Sequence, residues 1–172
     1  MIYIQTLDKN WSPGKFLIST ESKAFQVGFE LYIANLYVQE VKKAIDTQKY
    51  KGRWKPLSLP YILYKKRKGQ SLHTWEATSQ LKNSLKVYGN HHKIVVGWDK
   101  RLVHKNSRKP LWVIAREMEL GSLTKPPRPL FRYVYKTMSK NIRFYLNKFK
   151  SIFNTQNVTI KSIVAQVINY FR

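Results

Sequence analysis

The sequence has no cysteine and little glycine. The absence of cysteine excludes disulfide bonds, thiolate metal sites and thiol catalysis. The seven glycines form no phosphate-cradling loop of the GxGxxG or GxxxxGK[ST] type, and there is no GxSxG nucleophile elbow. We therefore expect neither redox chemistry nor nucleotide hydrolysis, and no cofactor.

Long apolar runs are also missing. No window approaches the roughly 18 uninterrupted apolar residues that a membrane span needs. Residues 1–10 lack the basic flank and apolar run of a signal peptide. We expect a soluble protein that is made and used on the cytosolic side, without membrane contact.

Side chains suited to acid–base or metal chemistry are few. The four histidines are scattered, and the adjacent pair His91 and His92 would point to opposite faces of a strand. The nearest approach to a metal-binding carboxylate pair, Glu117 with Glu119, has no accompanying lysine in the motif. We predict no catalytic residue, no metal site and no enzymatic activity, and a small nuclease is the weakest interpretation considered.

Positive charge dominates what the sequence does contain. The 32 lysines and arginines face nine acids, which gives a formal net charge of +23 at pH 7. The stretches 49–75 and 125–172 contain eight and ten basic residues and no acid. Solubility alone does not require such an excess, so an acidic partner is implied, either nucleic acid or an acidic protein surface.

The apolar content predicts a folded chain with one core. Of the 172 residues, 43% are hydrophobic and 14% are aromatic, which suits one globular domain. We expect an N-terminal arm over residues 1–18, a domain over 19–150 and a C-terminal amphipathic helical extension over 151–172. The extension is indicated by helical spacing of Ile160, Ile163, Val164, Val167, Ile168 and Phe171.

Spacing within the domain predicts an α+β fold. A long helix is expected over 21–45, a second long helix over 131–149, and a β-hairpin from 81–88 and 93–98. Pro60 should open a short helix that Gly69 ends, while 111–120 fits either a helix or a strand. The two long helices should pack on a small, mainly antiparallel sheet, with N- and C-terminal arms outside.

Two ordered sets of residues resemble the motifs of a known family. The first is Trp54-Lys55-Pro56-Leu57-Ser58, followed by Tyr61, Lys65, Gly69, Leu81 and Ser84. The second is Val95-Val96-Gly97, followed by Ala115, Glu119-Leu120-Gly121-Ser122 and Pro126-Pro127-Arg128-Pro129-Leu130. Across about residues 20–150, their order and spacing are similar to those of tailed-phage neck and head–tail joining proteins, the tail-completion or virion-morphogenesis family. Leu120 departs from the family's phenylalanine, and Thr78-Ser79-Gln80 stands where Thr-Gly is usual.

The resemblance implies an architectural role in the virion. Such a subunit would assemble in the host cytoplasm into a sixfold or twelvefold ring in the neck and join the portal or connector to the tail. Packaged DNA in the channel would be a further, non-specific partner. The residues implied in structure or assembly are Trp54, Pro56, Leu57, Ser58, Glu119, Gly121, Pro127, Arg128 and Pro129.

Physical roles for these motif residues can be stated without the family. Gly121 after an apolar segment suits a left-handed helix cap, and the prolines that follow would deliver Arg128 to a fixed place. Arg128 could pair with Glu119 of its own chain or with a neighbouring subunit. Trp54, Pro56 and Leu57 are expected to fill the base of the core rather than to contact a partner. The candidate contacts for DNA or an acidic protein are Lys51, Arg53, Lys65, Lys66, Arg67 and Lys68.

The rival interpretation is a basic nucleic-acid-binding protein without sequence specificity. Aromatic residues alternate with lysine and arginine over 50–64 and 131–149, a combination typical of single-strand binding surfaces. Against this interpretation, these aromatics lie at helical apolar spacing, which favours core packing.

The charge distribution predicts how the isolated protein behaves toward DNA. We expect weak binding to duplex DNA without sequence preference, because phosphate contacts release counterions and do not read bases. Fluorescence anisotropy at rising NaCl concentration should show a steep loss of binding. Tight binding to one sequence that survives high salt would favour the nucleic-acid-binding interpretation over the structural one.

Overall fold

The structure is a computed structural model, and it describes residues 23–76, 79–90 and 93–155. These residues form the predicted α+β fold, with six α-helices around a two-stranded antiparallel sheet. In chain order the elements are α1 (Lys23–Asp46), a 3₁₀ turn (Lys51–Arg53), α2 (Leu59–Arg67), α3 (Gln80–Asn83), β1 (Lys86–Asn90), β2 (Lys93–Gly97), α4 (Leu111–Leu120), α5 (Phe131–Lys140) and α6 (Ile142–Thr155).

Helix α1 is 24 residues long and contributes to two apolar clusters. Its N-terminal half packs Phe25, Phe29 and Ile33 against Ile142 and Phe149 of α6. Its C-terminal half belongs to a larger cluster that also includes side chains of the hairpin, α4 and α5. The predicted first long helix is therefore confirmed, and it packs against the hairpin, α5 and α6.

The predicted β-hairpin is present, but its first strand starts later than predicted. Strands β1 and β2 pair from Lys86 opposite Gly97 to Asn90 opposite Lys93. Leu81 lies in the short helix α3, and its carbonyl accepts a 2.7 Å hydrogen bond from the Trp98 indole. Leu81 therefore lies in a helical turn before the ladder, which begins at Lys86.

The predicted second long helix is two helices that are separated at Asn141. The Asn141 backbone N–H donates to the Met138 carbonyl at 2.9 Å, a three-residue spacing. The Asn141 side-chain amide takes the place of that N–H and donates to the Thr137 carbonyl at 3.1 Å. Asparagine competes with helical hydrogen bonding in this way, and the periodicity of the apolar residues does not reveal it.

The other local predictions have clear outcomes. Residues 111–120, which fit either type of element, form helix α4. The short helix α2 carries Pro60 in its first turn, and Gly69, with φ of +61°, follows its C-terminal cap. None of the helices in the described ranges has the length and apolarity that crossing a membrane requires.

Some predictions fall on residues outside the described ranges. These are the arm over 1–18, the pair His91 and His92, and the apolar stripe from Ile160 to Phe171. At the predicted boundary of the extension, α6 continues through residue 150 to Thr155.

Candidate functional site

Residues of both motif sets meet where the segment 126–130 leads into α5. The Trp54 indole donates a 3.0 Å hydrogen bond to the Pro129 carbonyl. The Trp75 indole donates to the Arg128 carbonyl, also at 3.0 Å, and both tryptophan rings are buried. We call Trp54, Trp75, Glu119, Arg128 and Pro129 the junction.

Arg128 is a buried cation in this junction. Its guanidinium donates to the carbonyls of Lys55 and Pro56, at 3.2 and 3.4 Å, and its backbone N–H donates to the Met118 carbonyl at 2.7 Å. Burial lowers the pKa of the Arg128 guanidinium, although arginine stays charged at any physiological pH. Within the described chain no carboxylate lies within ion-pair distance of it. Arg128 thus joins the segment before α2 to the segment before α5.

Glu119 caps a helix and does not form an ion pair with Arg128. Its carboxylate accepts hydrogen bonds from the backbone N–H groups of Leu130, Phe131 and Arg132, at 2.7, 3.1 and 3.0 Å. These groups open α5 and have no partner within that helix. A negative charge there also interacts favourably with the helix dipole. The intrachain Glu119–Arg128 pair considered from the sequence is therefore wrong.

Gly121 ends α4 in a conformation other than the predicted left-handed cap. Its φ of +82° and ψ of 175° belong to a region that only glycine occupies readily. A Cβ at this position would lie 3.0 Å from the Pro127 nitrogen and Cδ and 3.1 Å from the Lys125 carbonyl oxygen. Gly121 therefore allows the turn 122–125 to fold back onto the end of α4.

Lys65 has a structural role that its place in a basic run conceals. It is 2% exposed, and its ammonium group donates to the carbonyls of His73 and Glu76 at 2.8 and 3.0 Å. Burial lowers the pKa of Lys65, an effect that the Glu76 carboxylate opposes. Its prediction as a contact for DNA or an acidic partner is wrong for the described chain, because the side chain faces inward.

The loop that Lys65 holds also places Trp75 in the junction. Trp75 has a φ of +69°, which bulky L residues rarely adopt. The Gln48 side-chain amide accepts a 2.9 Å hydrogen bond from the backbone N–H of the neighbouring Thr74 and donates one of 3.1 Å to the Thr74 carbonyl. Lys65 and Gln48 together fix the loop, so this uncommon backbone conformation is held in place.

Pro56, Leu57 and Ser58 of the first motif lie at or near the surface. Pro56 and Ser58 are exposed and Leu57 is half-buried, so of the predicted core residues in this motif only Trp54 is fully in the core. Ser58 precedes α2 without a side-chain cap hydrogen bond. Pro127 is exposed and Pro129 is half-buried.

Two surface elements with exposed apolar side chains adjoin the junction. Helix α2 follows directly after the Lys55 and Pro56 carbonyls that Arg128 binds. The turn 122–125 is closed by two backbone hydrogen bonds between its end residues and leaves Leu123 fully exposed. Together with Lys55 and Leu120, this turn lines one shallow open groove.

The basic candidates other than Lys65 are exposed. These are Lys51, Arg53, Lys66, Arg67 and Lys68. The Arg53 guanidinium also lies 5.3 Å from the centroid of the Tyr133 ring. The surface thus presents cations that an acidic partner can reach.

Most described carboxylates are already engaged within the chain. Glu117 accepts from Lys125 and Lys109 at 2.8 and 2.9 Å, and these two lysines hold its pKa below the ordinary value. Lys82 bridges Asp46 and Glu76, Arg101 pairs with Asp99, and Glu119 caps α5. Among the described acids, only Glu30 and Glu40 have no cation or backbone N–H partner within the described residues.

The arrangement has the character of a scaffold, with hydrogen bonds that fix segments to one another. In the part of the chain that is described, no group of three or more His, Asp or Glu side chains could hold a metal ion. Comparisons with protein families, curated proteins and solved structures found no match. The family expectation therefore stays a prediction.

Sequence reasoning missed Trp75 and Gln48 as parts of this site. Neither belongs to a motif, and their partners lie 53 and 26 residues away along the chain. It also placed the aromatics of α2 in the core, whereas Tyr61 and Tyr64 are 44% and 43% exposed.

The helix cap predicts a large difference between two neighbouring glutamates. Glu119→Ala should lower the free energy of unfolding by about 1–3 kcal/mol, because three N–H groups at the start of α5 lose their acceptor. Glu117→Ala removes only partly exposed ion pairs and should cost at most about 1 kcal/mol. Urea denaturation measures both values. Equal losses in the two variants would contradict the capping role of Glu119.

The conformation of Gly121 predicts that alanine substitutions at three glycines reduce stability to different extents. Gly121→Ala should destabilise by about 1–3 kcal/mol or more, since both its backbone conformation and the Pro127 contact oppose a Cβ. Gly69→Ala tests the effect of a positive φ alone, because open space surrounds that position. Gly52→Ala is the control, since it has neither a positive φ nor an atom within 4 Å of the added Cβ. Thermal denaturation should rank the losses as Gly121, Gly69 and Gly52. A Gly121 variant as stable as the Gly52 variant would reject this account of the turn.

Because Lys65 is buried and Lys66 is exposed, we predict that substituting them has opposite effects on stability and on DNA binding. Lys65→Met should destabilise by about 1–3 kcal/mol, because two carbonyls lose a charged donor. Lys66→Met should change stability by no more than about 0.5 kcal/mol. DNA affinity should change in the opposite order. Lys66→Met should bind DNA more weakly, and Lys65→Met should bind it as the parent protein does, at a temperature where both variants are folded. A loss of DNA binding without loss of stability in Lys65→Met would show that its ammonium is accessible.

Proposed function

We propose that this chain is a structural subunit of a tailed-phage virion. It forms a ring in the neck of the particle, where it joins the portal or connector to the tail. Assembly of the particle takes place in the host cytoplasm. The observation that carries the proposal is the junction. Residues that the family resemblance singles out from separate parts of the sequence share one set of hydrogen bonds.

The junction supports an architectural role because of what it positions. Trp54 and Pro129 are 75 residues apart in sequence, yet they are hydrogen bonded. Their surroundings fix two elements with exposed apolar side chains, α2 and the turn 122–125. Exposed apolar side chains that gather on fixed elements are typical of surfaces that bind other proteins. A ring subunit needs such surfaces for its two neighbours and for the adjoining layers.

The high positive charge of the chain implies that its neighbours in the assembled particle include acidic molecules. Copies that each carry a formal charge of +23 repel one another when they are close. Screening acts beyond about 8 Å at physiological salt, so adjacent subunits still interact. Acidic surfaces of connector or tail proteins, or packaged DNA, would supply the counter-charge.

The second candidate function is non-specific binding of nucleic acid. The exposed rings of Tyr61 and Tyr64 stand beside Lys66, Arg67 and Lys68, and bases can stack on exposed aromatic rings. The two tyrosines, however, are stacked on each other at 6.2 Å with an interplanar angle of 12°. A base therefore has access to fewer of their faces, which favours the structural proposal.

Native mass spectrometry and negative-stain microscopy test the proposal. The purified chain, alone or with portal and tail proteins of the same particle, should form closed rings of six or twelve copies. Leu123→Ser changes a fully exposed side chain on the turn and should weaken the ring without unfolding the domain. Phe144→Ser, at an exposed side chain on α6 outside α2 and the turn, should not. A chain that stays monomeric in every mixture and coats DNA at physiological salt would replace the proposal with the second candidate.

A further inference from the structure

Helix α2 presents its large apolar side chains to solvent. Leu59 and Leu63 are 68% and 48% exposed, and Tyr61 and Tyr64 stand out beside them. The one residue of the helix that is fully buried is Lys65. A short helix on a protein surface normally turns its leucines toward the core. In α2, Lys65 faces inward instead, and the leucines stay exposed among the described residues.

The helix is held in place from both ends. Arg128 binds the Lys55 and Pro56 carbonyls just before its start, and Lys65 near its C-terminal end binds the loop at His73 and Glu76. A partner therefore meets a preformed surface and does not have to order it. Preorganisation of this kind lowers the entropic cost of binding.

The charge of this helix indicates an acidic partner. Its last turn and C-terminal cap contribute Lys66, Arg67 and Lys68 to the surface, and the stretch 49–75 contains no acid. Cations at a helix C-terminus also interact favourably with the helix dipole, which accounts for their position. The dipole does not account for exposed leucines beside them.

A second copy of this chain is a poor source of that acid. Among the described carboxylates, Glu117 and Glu119 are occupied, as are Asp46, Glu76 and Asp99. Only Glu30 and Glu40 are left, both half-buried on α1. A copy, whose formal net charge is +23, would therefore bring far more positive charge than counter-charge to α2.

Nucleic acid fits the cations of α2 but not its leucines. Phosphates pair with lysine and arginine, and bases stack on tyrosine, whereas Leu59 and Leu63 offer neither interaction. Burying apolar surface against an apolar partner is favourable by about 25 cal/mol per Å². The mixture of exposed leucine and exposed cation therefore matches a chain segment that carries both apolar and acidic side chains.

We infer that α2 is a docking helix for an acidic amphipathic segment of a different protein. The apolar side chains of the segment cover Leu59, Leu63 and the tyrosine pair, and its carboxylates reach Lys66, Arg67 and Lys68. Amphipathic segments bind other proteins in this way, with apolar side chains buried in the contact and charged side chains paired at its edge. The inference concerns one face of the chain and holds whether or not the chain forms a ring.

Binding of a labelled peptide to the full-length protein tests the inference. The probe is a fluorescein-labelled helical peptide with leucine at i, i+3, i+4 and i+7 and glutamate at the other positions. A matched peptide has glutamine in place of every glutamate, and oligo-dT represents nucleic acid. Anisotropy should show binding of the acidic peptide, and the glutamine peptide should bind at least about tenfold more weakly.

Variants then locate the binding surface. The double variant Leu59→Ala with Leu63→Ala should weaken binding of the acidic peptide by about tenfold or more, because its apolar contact is lost. Phe144→Ala, at a 64% exposed apolar side chain on α6, should leave the affinity unchanged. Both variants change exposed side chains, and thermal denaturation checks that each is folded.

Four results would overturn the inference. The first is failure of the acidic peptide to bind, and the second is equal affinity in the double variant and the parent protein. The third is an oligo-dT affinity that falls by the same factor as the peptide affinity in the double variant, which would make α2 a nucleic-acid site. The fourth is self-association in sedimentation that the double variant abolishes, which would assign the face to a second copy. Rings that form normally while the peptide fails would reject this inference and leave the proposed function in place.

Discussion

The start of α5 lies inside the protein, and its backbone N–H groups need an acceptor there. Leu130 and Phe131, whose N–H groups are among those concerned, are almost completely buried, so water cannot serve them freely. The Glu119 carboxylate is that acceptor, although it comes from the end of another helix. An unpaired buried N–H group costs about 1–3 kcal/mol, so the position of α5 depends on this carboxylate.

Other contacts of the core follow from the placement of α5. Once its first turn is fixed, the Phe131 ring packs edge-to-face with those of Trp75 and Trp98, at centroid distances of 5.5 and 5.6 Å. Trp98 in turn holds α3 through the Leu81 carbonyl. A single carboxylate therefore orders a chain of aromatic contacts that reaches the hairpin.

The sequence predicts those parts of the fold that depend on neighbours along the chain. Helix α1 is of this type, because apolar spacing determines it locally. The existence of the hairpin was also predicted, but Gly89, expected in its turn, pairs with Ile94 inside the ladder. The break at Asn141 could not be predicted, because it depends on the hydrogen bond that the Asn141 side-chain amide donates to the Thr137 carbonyl. Lys65 escapes because it is chemically the same as Lys66, and only tertiary contacts separate them. The same limit applies to the candidate site, where Trp54, Glu119, Arg128 and Pro129 could be identified from the sequence, whereas Trp75, Gln48 and the hydrogen-bond partners of the site residues could not.

The division of α1 between two apolar clusters has a consequence for motion. Helix α6 packs mainly on the smaller cluster, and the break at Asn141 separates it from α5. Its release would expose Phe25, Phe29 and Phe149 but leave the tryptophans of the larger cluster covered. Partial opening then costs less free energy than global unfolding, as in proteins whose segments exchange amide hydrogens as separate cooperative units. The amides of α6 should accordingly exchange with deuterium sooner than those of α5, although the two helices are adjacent in sequence.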